Sequence, residues 1–232
     1  MFKNILPNKI LLIKKNLFQN LLAFIFLIFI VGIIYSIFIS PPDYIQGNSV
    51  RIMYVHVPAS LIALGCFALI GVTSILNLIF KIKFMPVIGK SLAPIGFIFT
   101  LVSIITGSLW GKPTWGVWWV WDARLTSMFI LLLFYLLYIC VWKFFDNFDK
   151  ANKFSSLIGI LGLINIVIVK YSVEWWSTLH QPASISLTSA PKIHFSMIIP
   201  LLIMFIGMAA YSFMIFLMRY KEKKASVVGK AT

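Results

Sequence analysis

Six long stretches of this 232-residue chain are apolar and nearly free of charge, and they leave little choice of fold. A helix needs about 20 consecutive apolar residues to cross the hydrocarbon core of a bilayer. Leu21–Ile39, Val57–Phe80, Ser91–Leu109 and Leu125–Trp142 meet or approach that length without a charged side chain. Phe154–Val169 is shorter, and reaches Val173 once the Lys170 ammonium snorkels to the interface. Ile193–Met218 is long enough to tilt and carries His194 near its start. Pro58 falls in the expected first turn of the second span, where proline is tolerated. The first span is too long for a cleavable signal and no small-residue cleavage site follows it, so it is expected to stay. The expected fold class is an all-α integral membrane protein with six transmembrane helices, residues 1–232 forming a single polytopic domain.

Composition excludes the main alternatives. Only 11% of residues are charged and 61% are hydrophobic, whereas a soluble domain is about a quarter charged. The net charge of +14 raises the question of nucleic acid, but the basic residues sit at the ends of apolar blocks rather than on one face. No nucleic acid partner is expected. Cys66 and Cys140 each lie inside an apolar block and read as small buried residues. The absence of CxxCH means that this chain does not attach heme covalently, and the absence of a P-loop assigns any nucleotide hydrolysis to a separate subunit.

The basic residues also give an orientation, because they accumulate on the cytoplasmic side. Alternate connections and both ends carry fifteen of them, including Lys3, Lys9, Lys83, Lys90, Lys143, Lys150, Arg219 and Lys230. The other side has five, namely Arg51, Lys112, Arg124, Lys170 and Lys192. Both termini are therefore expected to be cytoplasmic (or on the matrix side). The loops holding His56, Trp110–Asp122 and His180 then face outward.

Residues 110–122 form a tryptophan-rich outer loop between spans three and four. Five of the eight tryptophans lie between Trp110 and Trp121. An aromatic belt accounts for one or two per interface but not for five in one loop, which suits a platform for a large flat apolar molecule such as heme or a quinone. Gly111, Pro113 and Gly116 argue against a continuous helix there. A short helix starting near Thr114 would put Trp115, Trp118 and Trp119 on one face, with Trp121 pointing elsewhere. Asp122 is placed to cap the following helix.

His56 and His180 each lie two residues before a proline, in outward segments with aromatic neighbours. Two imidazoles on the side of the tryptophan platform suit axial ligation of heme iron. His194, at the outer end of the last span, reads better as a helix-start histidine bonded to its neighbours. Arg51, Arg124 and Lys112 are candidates for pairing with propionates, though lipid headgroup contact explains Lys112 as well.

The run WGVWWVWDARLTS, with RIMYVHVPA upstream and WWSTLHQP downstream, resembles the heme exporter protein C family of the cytochrome c maturation system. The likeness covers essentially the whole chain. The tryptophan signature alone marks a broader superfamily of cytochrome c assembly proteins; the flanking histidine motifs and the length select this member. The resemblance implies non-covalent heme b at the outer face, with His56 and His180 as axial ligands to the metal. It implies a platform of Trp115, Trp118, Trp119, Trp121 and Asp122. It implies presentation of heme to a periplasmic heme chaperone for c-type cytochrome biogenesis. The implied partners are an ATP-binding subunit, a second polytopic subunit and a very small membrane subunit. The implied location is the bacterial cell inner membrane, with the mitochondrial inner membrane as the alternative.

Three other functions fit the sequence less well. A cytochrome b-type electron carrier would hold its histidines within the spans. A permease subunit for another hydrophobic solute leaves the tryptophans and histidines unexplained. An enzyme lacks support, because no nucleophile motif surrounds Ser108 and the outer carboxylates Asp43, Asp122 and Glu174 are sparse.

Overall fold

The computed structural model describes residues 15–82, 84–181, 190–191 and 193–228. Lys3, Lys9, Lys14, Lys83, Lys192 and Lys230, which enter the charge asymmetry, lie outside the described residues. Six helices are long and apolar enough to cross a membrane, and no β-strand occurs among the described residues. They are α1 (Lys15–Ile34), α2 (Met53–Phe80), α3 (Met85–Trp115), α4 (Ala123–Phe144), α5 (Phe148–Trp175) and α6 (Phe195–Val228). A π-helical turn, Tyr35–Ile39, extends α1, and a 3₁₀ turn, Asn48–Ile52, leads into α2.

Each helix runs past its apolar stretch at one end or both, although the α-helical part of α1 stops at Ile34 and α6 begins at Phe195. Hydropathy falls where polar residues begin, but the backbone hydrogen-bond ladder continues until a cap ends it. Helix α2 starts at Met53 rather than Val57, so Pro58 lies in its second turn and His56 rides in its first. Helix α3 continues through Gly111 and Pro113 to Trp115, and no separate helix begins near Thr114. Pro113 lacks one N–H, but that loss falls in the last turn, where Thr114 Oγ1 donates to the Trp110 carbonyl at 2.7 Å. Gly116 ends the helix in the left-handed region at φ 79°, its N–H bonded to the Lys112 carbonyl. Only residues 116–122 of the tryptophan-rich segment are non-helical.

Helix α2 is central and packs on α3, α5 and α6, while α4 bridges α3 and α5 and α1 lies against α6. Spans surrounded by lipid gain no hydrophobic drive toward one another, so close packing and polar ties matter more. Tyr135 of α4 donates to the Ala63 carbonyl of α2 at 2.6 Å. Asn165 of α5 donates to the Ser127 carbonyl of α4 at 2.9 Å. Asn77 of α2 donates to Asn152 of α5 at 2.9 Å. Because successive helices run in opposite directions, the start of α2, the end of α3, the start of α4 and the end of α5 meet at one end of the bundle. There Arg124 Nη1 donates to the Val169 carbonyl at 2.6 Å and Trp110 Nε1 to Gln46 Oε1 at 2.8 Å.

Candidate functional site

The end of α3 builds the floor of the site. Ser103, Thr106, Gly107 and Trp110 recur at helical spacing on one face and look across at His56. His56 Nδ1 lies 3.0 Å from the Ser103 carbonyl and 3.1 Å from Thr106 Oγ1. A carbonyl only accepts, so the proton sits on Nδ1 and the Nε2 lone pair is left available. Thr106 Oγ1 is itself fixed by donating to the Val102 carbonyl at 2.6 Å. Ser60 Oγ, one turn on from His56, donates to the His56 carbonyl and lies 2.6 Å from Ser103 Oγ. A methyl on Gly107 would stand 3.0 Å from His56 Cε1, so the imidazole would have to give by a few tenths of an ångström.

His180 reaches the same place from the segment after α5. Its Nδ1 donates to the Gln181 carbonyl at 2.9 Å, which again leaves Nε2 free to coordinate. The ring centroids of His56 and His180 are 6.4 Å apart and their planes are inclined by 37°. Trp110 meets His56 edge-on at 5.9 Å, and Trp115 lies 6.3 Å from His180. The four rings thus run Trp110, His56, His180, Trp115 across the end of the bundle. Burial pushes the His180 pKa below its ordinary value, helped by the cationic Arg124 and opposed by the Gln181 hydrogen bond and Asp122.

The other tryptophans are arranged differently from the single helical face that their spacing suggested. Gly116 breaks the helix between Trp115 and Trp118, so the i, i+3 relation does not apply. Trp119 packs edge-to-face on Trp121 at 5.5 Å, and both meet Phe129 of α4. Trp118 is 54% exposed and Trp121 73% exposed. Lys112 Nζ donates to the Gly116 carbonyl at 3.0 Å and lies 5.9 Å from the centre of the Trp118 ring. The Trp119 indole N–H is buried without a hydrogen-bond partner. Asp122 caps α4 through Oδ1, which accepts from the Leu125 N–H at 2.8 Å, while Oδ2 is buried without a partner.

His194 stands apart. It is exposed just ahead of α6, and its Nδ1 accepts from the Ser196 N–H at 3.3 Å and lies 2.7 Å from Ser196 Oγ. With that lone pair engaged, the neutral ring carries its proton on Nε2 and caps a helix. Arg51 Nη2 donates to the Ser40 carbonyl at 2.9 Å, and Arg124 is bonded to Val169, so both guanidinium groups also brace the backbone. The sequence marks Trp110 only as the edge of the tryptophan-rich segment and does not mark Ser103, Thr106 or Gly107 as site residues. Their signal was a stripe of small and hydroxyl residues at i, i+3, i+4 and i+7 that ends on a tryptophan.

The fold and this end of it define a six-span membrane protein with two oriented imidazoles set among tryptophans. The family model described as "Heme exporter protein C" matches residues 2–229. The chain is 39% identical over 202 residues to "Heme exporter protein C" of Haemophilus influenzae, covering 87% of this chain and 82% of that one. It is 38% identical over 201 residues to the Bradyrhizobium diazoefficiens protein of the same name, covering 87% and 76%. It is 39% identical over 187 residues to a "Putative cytochrome c biosynthesis ccmC-like mitochondrial protein" of Marchantia polymorpha, covering 81% and 79%. The chain belongs to the heme exporter protein C family.

Proposed function

We propose that this chain binds heme b non-covalently at the outer face of the bacterial inner membrane and presents it to a periplasmic heme chaperone for c-type cytochrome biogenesis. His56 and His180 are the axial ligands, and Trp110–Asp122 is the heme-binding element. The observation that carries this is the imidazole pair. Two metal–nitrogen bonds of about 2 Å, each extended by the roughly 1 Å from nitrogen to ring centre, need centroids about 6 Å apart. The separation here is 6.4 Å, and each Nδ1–H is held by a backbone carbonyl, as ligating histidines commonly are.

Each residue type suits the same occupant. Trp110 and Trp115 supply apolar faces beside the histidines, Trp119 packs against Trp121, and exposed Trp118 and Trp121 offer a surface to the receiving chaperone. The unpartnered Trp119 N–H is a donor for a propionate oxygen. Heme would bring an iron that His56 and His180 would hold through their Nε2 lone pairs. Burial and Arg124 keep His180 neutral at physiological pH, the form able to ligate.

Capture and hand-over at one face fit better than conduction through the bundle. Apart from tyrosine hydroxyls, the buried polar side chains of the described residues are Ser, Thr and Asn, with no Asp, Glu, Lys or Arg among them to line a polar path. Heme then enters sideways from the outer leaflet. An ATP-binding subunit, a second polytopic subunit and a small membrane subunit complete the assembly. An electron carrier of the cytochrome b type is disfavoured, because His56 sits in the first turn of α2 and His180 lies beyond α5, near the bundle end.

The test is the absorption spectrum of protein purified from heme-replete cells, with His56→Ala, His180→Ala and His194→Ala beside wild type. The first two are expected to lose or shift the Soret band and to stop cytochrome c assembly at near-normal protein levels. His194→Ala keeps the band. An unchanged spectrum and unchanged assembly in both ligand variants would refute the reading.

A further inference from the structure

The two imidazoles are held by different means. His56 belongs to the first turn of α2, and its ring is pinned from another helix. Its Nδ1 bonds to the Ser103 carbonyl at 3.0 Å and lies 3.1 Å from Thr106 Oγ1, both on α3. One turn further along, Ser60 Oγ lies 2.6 Å from Ser103 Oγ and ties the same two helices again. Trp110, edge-on to the His56 ring, is held in turn by Gln46, whose Oε1 accepts the indole N–H at 2.8 Å. The Gln46 backbone is fixed by a turn in which its N–H donates to Asp43 Oδ1 at 2.8 Å. Displacing His56 therefore breaks hydrogen bonds between helices.

His180 is tethered locally. Helix α5 ends at Trp175, and the Trp176 N–H makes its closing bond to the Ser172 carbonyl. Beyond that, His180 Nδ1 donates to the carbonyl of the next residue, Gln181, at 2.9 Å, and Thr178 Oγ1 donates to the His180 carbonyl at 3.3 Å. Both bonds travel with the segment. Among the described residues, no hydrogen bond ties 177–181 to another helix. A side chain bonded within its own segment swings away without breaking an interhelical bond, and such openings lie at the low end of local stability.

We propose that the pair is asymmetric: His56 is the fixed ligand, and His180 is the one that gives up its axial place when the receiving chaperone takes over. This rests on the axial ligation proposed above. The exchange moves electron pairs alone. The bond from His180 Nε2 breaks, a lone-pair donor of the chaperone takes the vacated place, and the Nδ1 proton and the iron oxidation state are unchanged. Thr106 is a positioning residue for the ligand that stays. Its hydroxyl proton goes to the Val102 carbonyl, so its oxygen can accept from His56 Nδ1–H and strengthen donation from Nε2.

Carbon monoxide tests this, because it binds reduced heme in whichever axial place opens. The sample is the full chain loaded with heme, and resonance Raman reads the Fe–C and C–O stretches. A change of polarity beside carbon monoxide moves the two in opposite directions along one line. A weaker donor on the far side of the iron raises Fe–C off that line with little change in C–O. The His180→Ala adduct is expected to lie on the wild-type line. Thr106→Val, which keeps the side-chain shape, is expected to leave that line upward in Fe–C, and its ferric heme affinity to fall about ten- to a hundred-fold. A Thr106→Val adduct on the wild-type line, or a His180→Ala adduct off it, overturns the asymmetry. Reduced spectra that match wild type before carbon monoxide is added, in both His56→Ala and His180→Ala, would instead overturn the ligation itself.

Discussion

At the scale of single residues, the geometry around His56 makes opposing demands on Gly107. Replacing a mid-helix glycine by alanine normally stabilises a helix by roughly 0.5–1 kcal/mol. Here the added methyl would press on the imidazole at 3.0 Å. Gly107→Ala is therefore expected to hold or raise thermal stability while weakening heme retention, checked by melting and heme titration of the same preparation. Equal affinity for heme in the two proteins would show that the ring has room to move. His180 predicts a pH effect. Its pKa is lowered, so as pH falls through about 6.5 the unfolded chain takes up the proton first and the folded state loses stability until its own histidine titrates. Heme release on acidification should accordingly begin below the range of an ordinary histidine. Arg124→Gln removes one of the groups that lower this pKa, and should move release to higher pH in a spectrophotometric titration. An unmoved midpoint would sever His180 from the transition.

At the scale of elements, the junction between α3 and α4 decides which tryptophans face the histidines. Gly116 holds φ at 79°, and nothing lies within 4 Å of the place where a Cβ would stand. Alanine there is strained by conformation alone, at a cost of about 1–2 kcal/mol. Gly116→Ala is expected to redirect residues 117–121 and lower heme retention, whereas Gly116→Asn tolerates the left-handed conformation and retains more. Matching heme dissociation rates in the two variants would count against a role for the turn. This junction also separates what was legible in the sequence from what was not. The six spans were legible because hydropathy integrates over about 20 residues, and the Asp122 cap because its chemistry is local. The extension of α3 to Trp115 was not, because Gly111 and Pro113 read as breakers whereas the last turn tolerates both. Once that helix runs on and Gly116 ends it, Trp115 joins the histidines and Trp119 joins Trp121. No spacing rule written for one continuous helix could have separated them.

At the scale of the whole molecule, the proposed direction of heme delivery rests on which way the bundle faces. The sequence pattern assigns fifteen of the twenty basic residues to the side of the two termini, and the imidazole pair lies where α2 starts and α5 ends. Lys and Arg accumulate in cytoplasmic connections, so an asymmetry of this size predicts cytoplasmic termini. Pairing of His56 with His180 depends only on how the helices pack, and would survive inversion of the whole chain. Access to a periplasmic chaperone would not. A reporter fused after Thr232 is expected to behave as cytoplasmic, and a thiol probe that does not cross membranes is expected to label Trp118→Cys from outside. An active periplasmic reporter at the C-terminus would leave the imidazole site intact but turn it inward, and delivery to an outer chaperone would then need heme to cross the bilayer by another route.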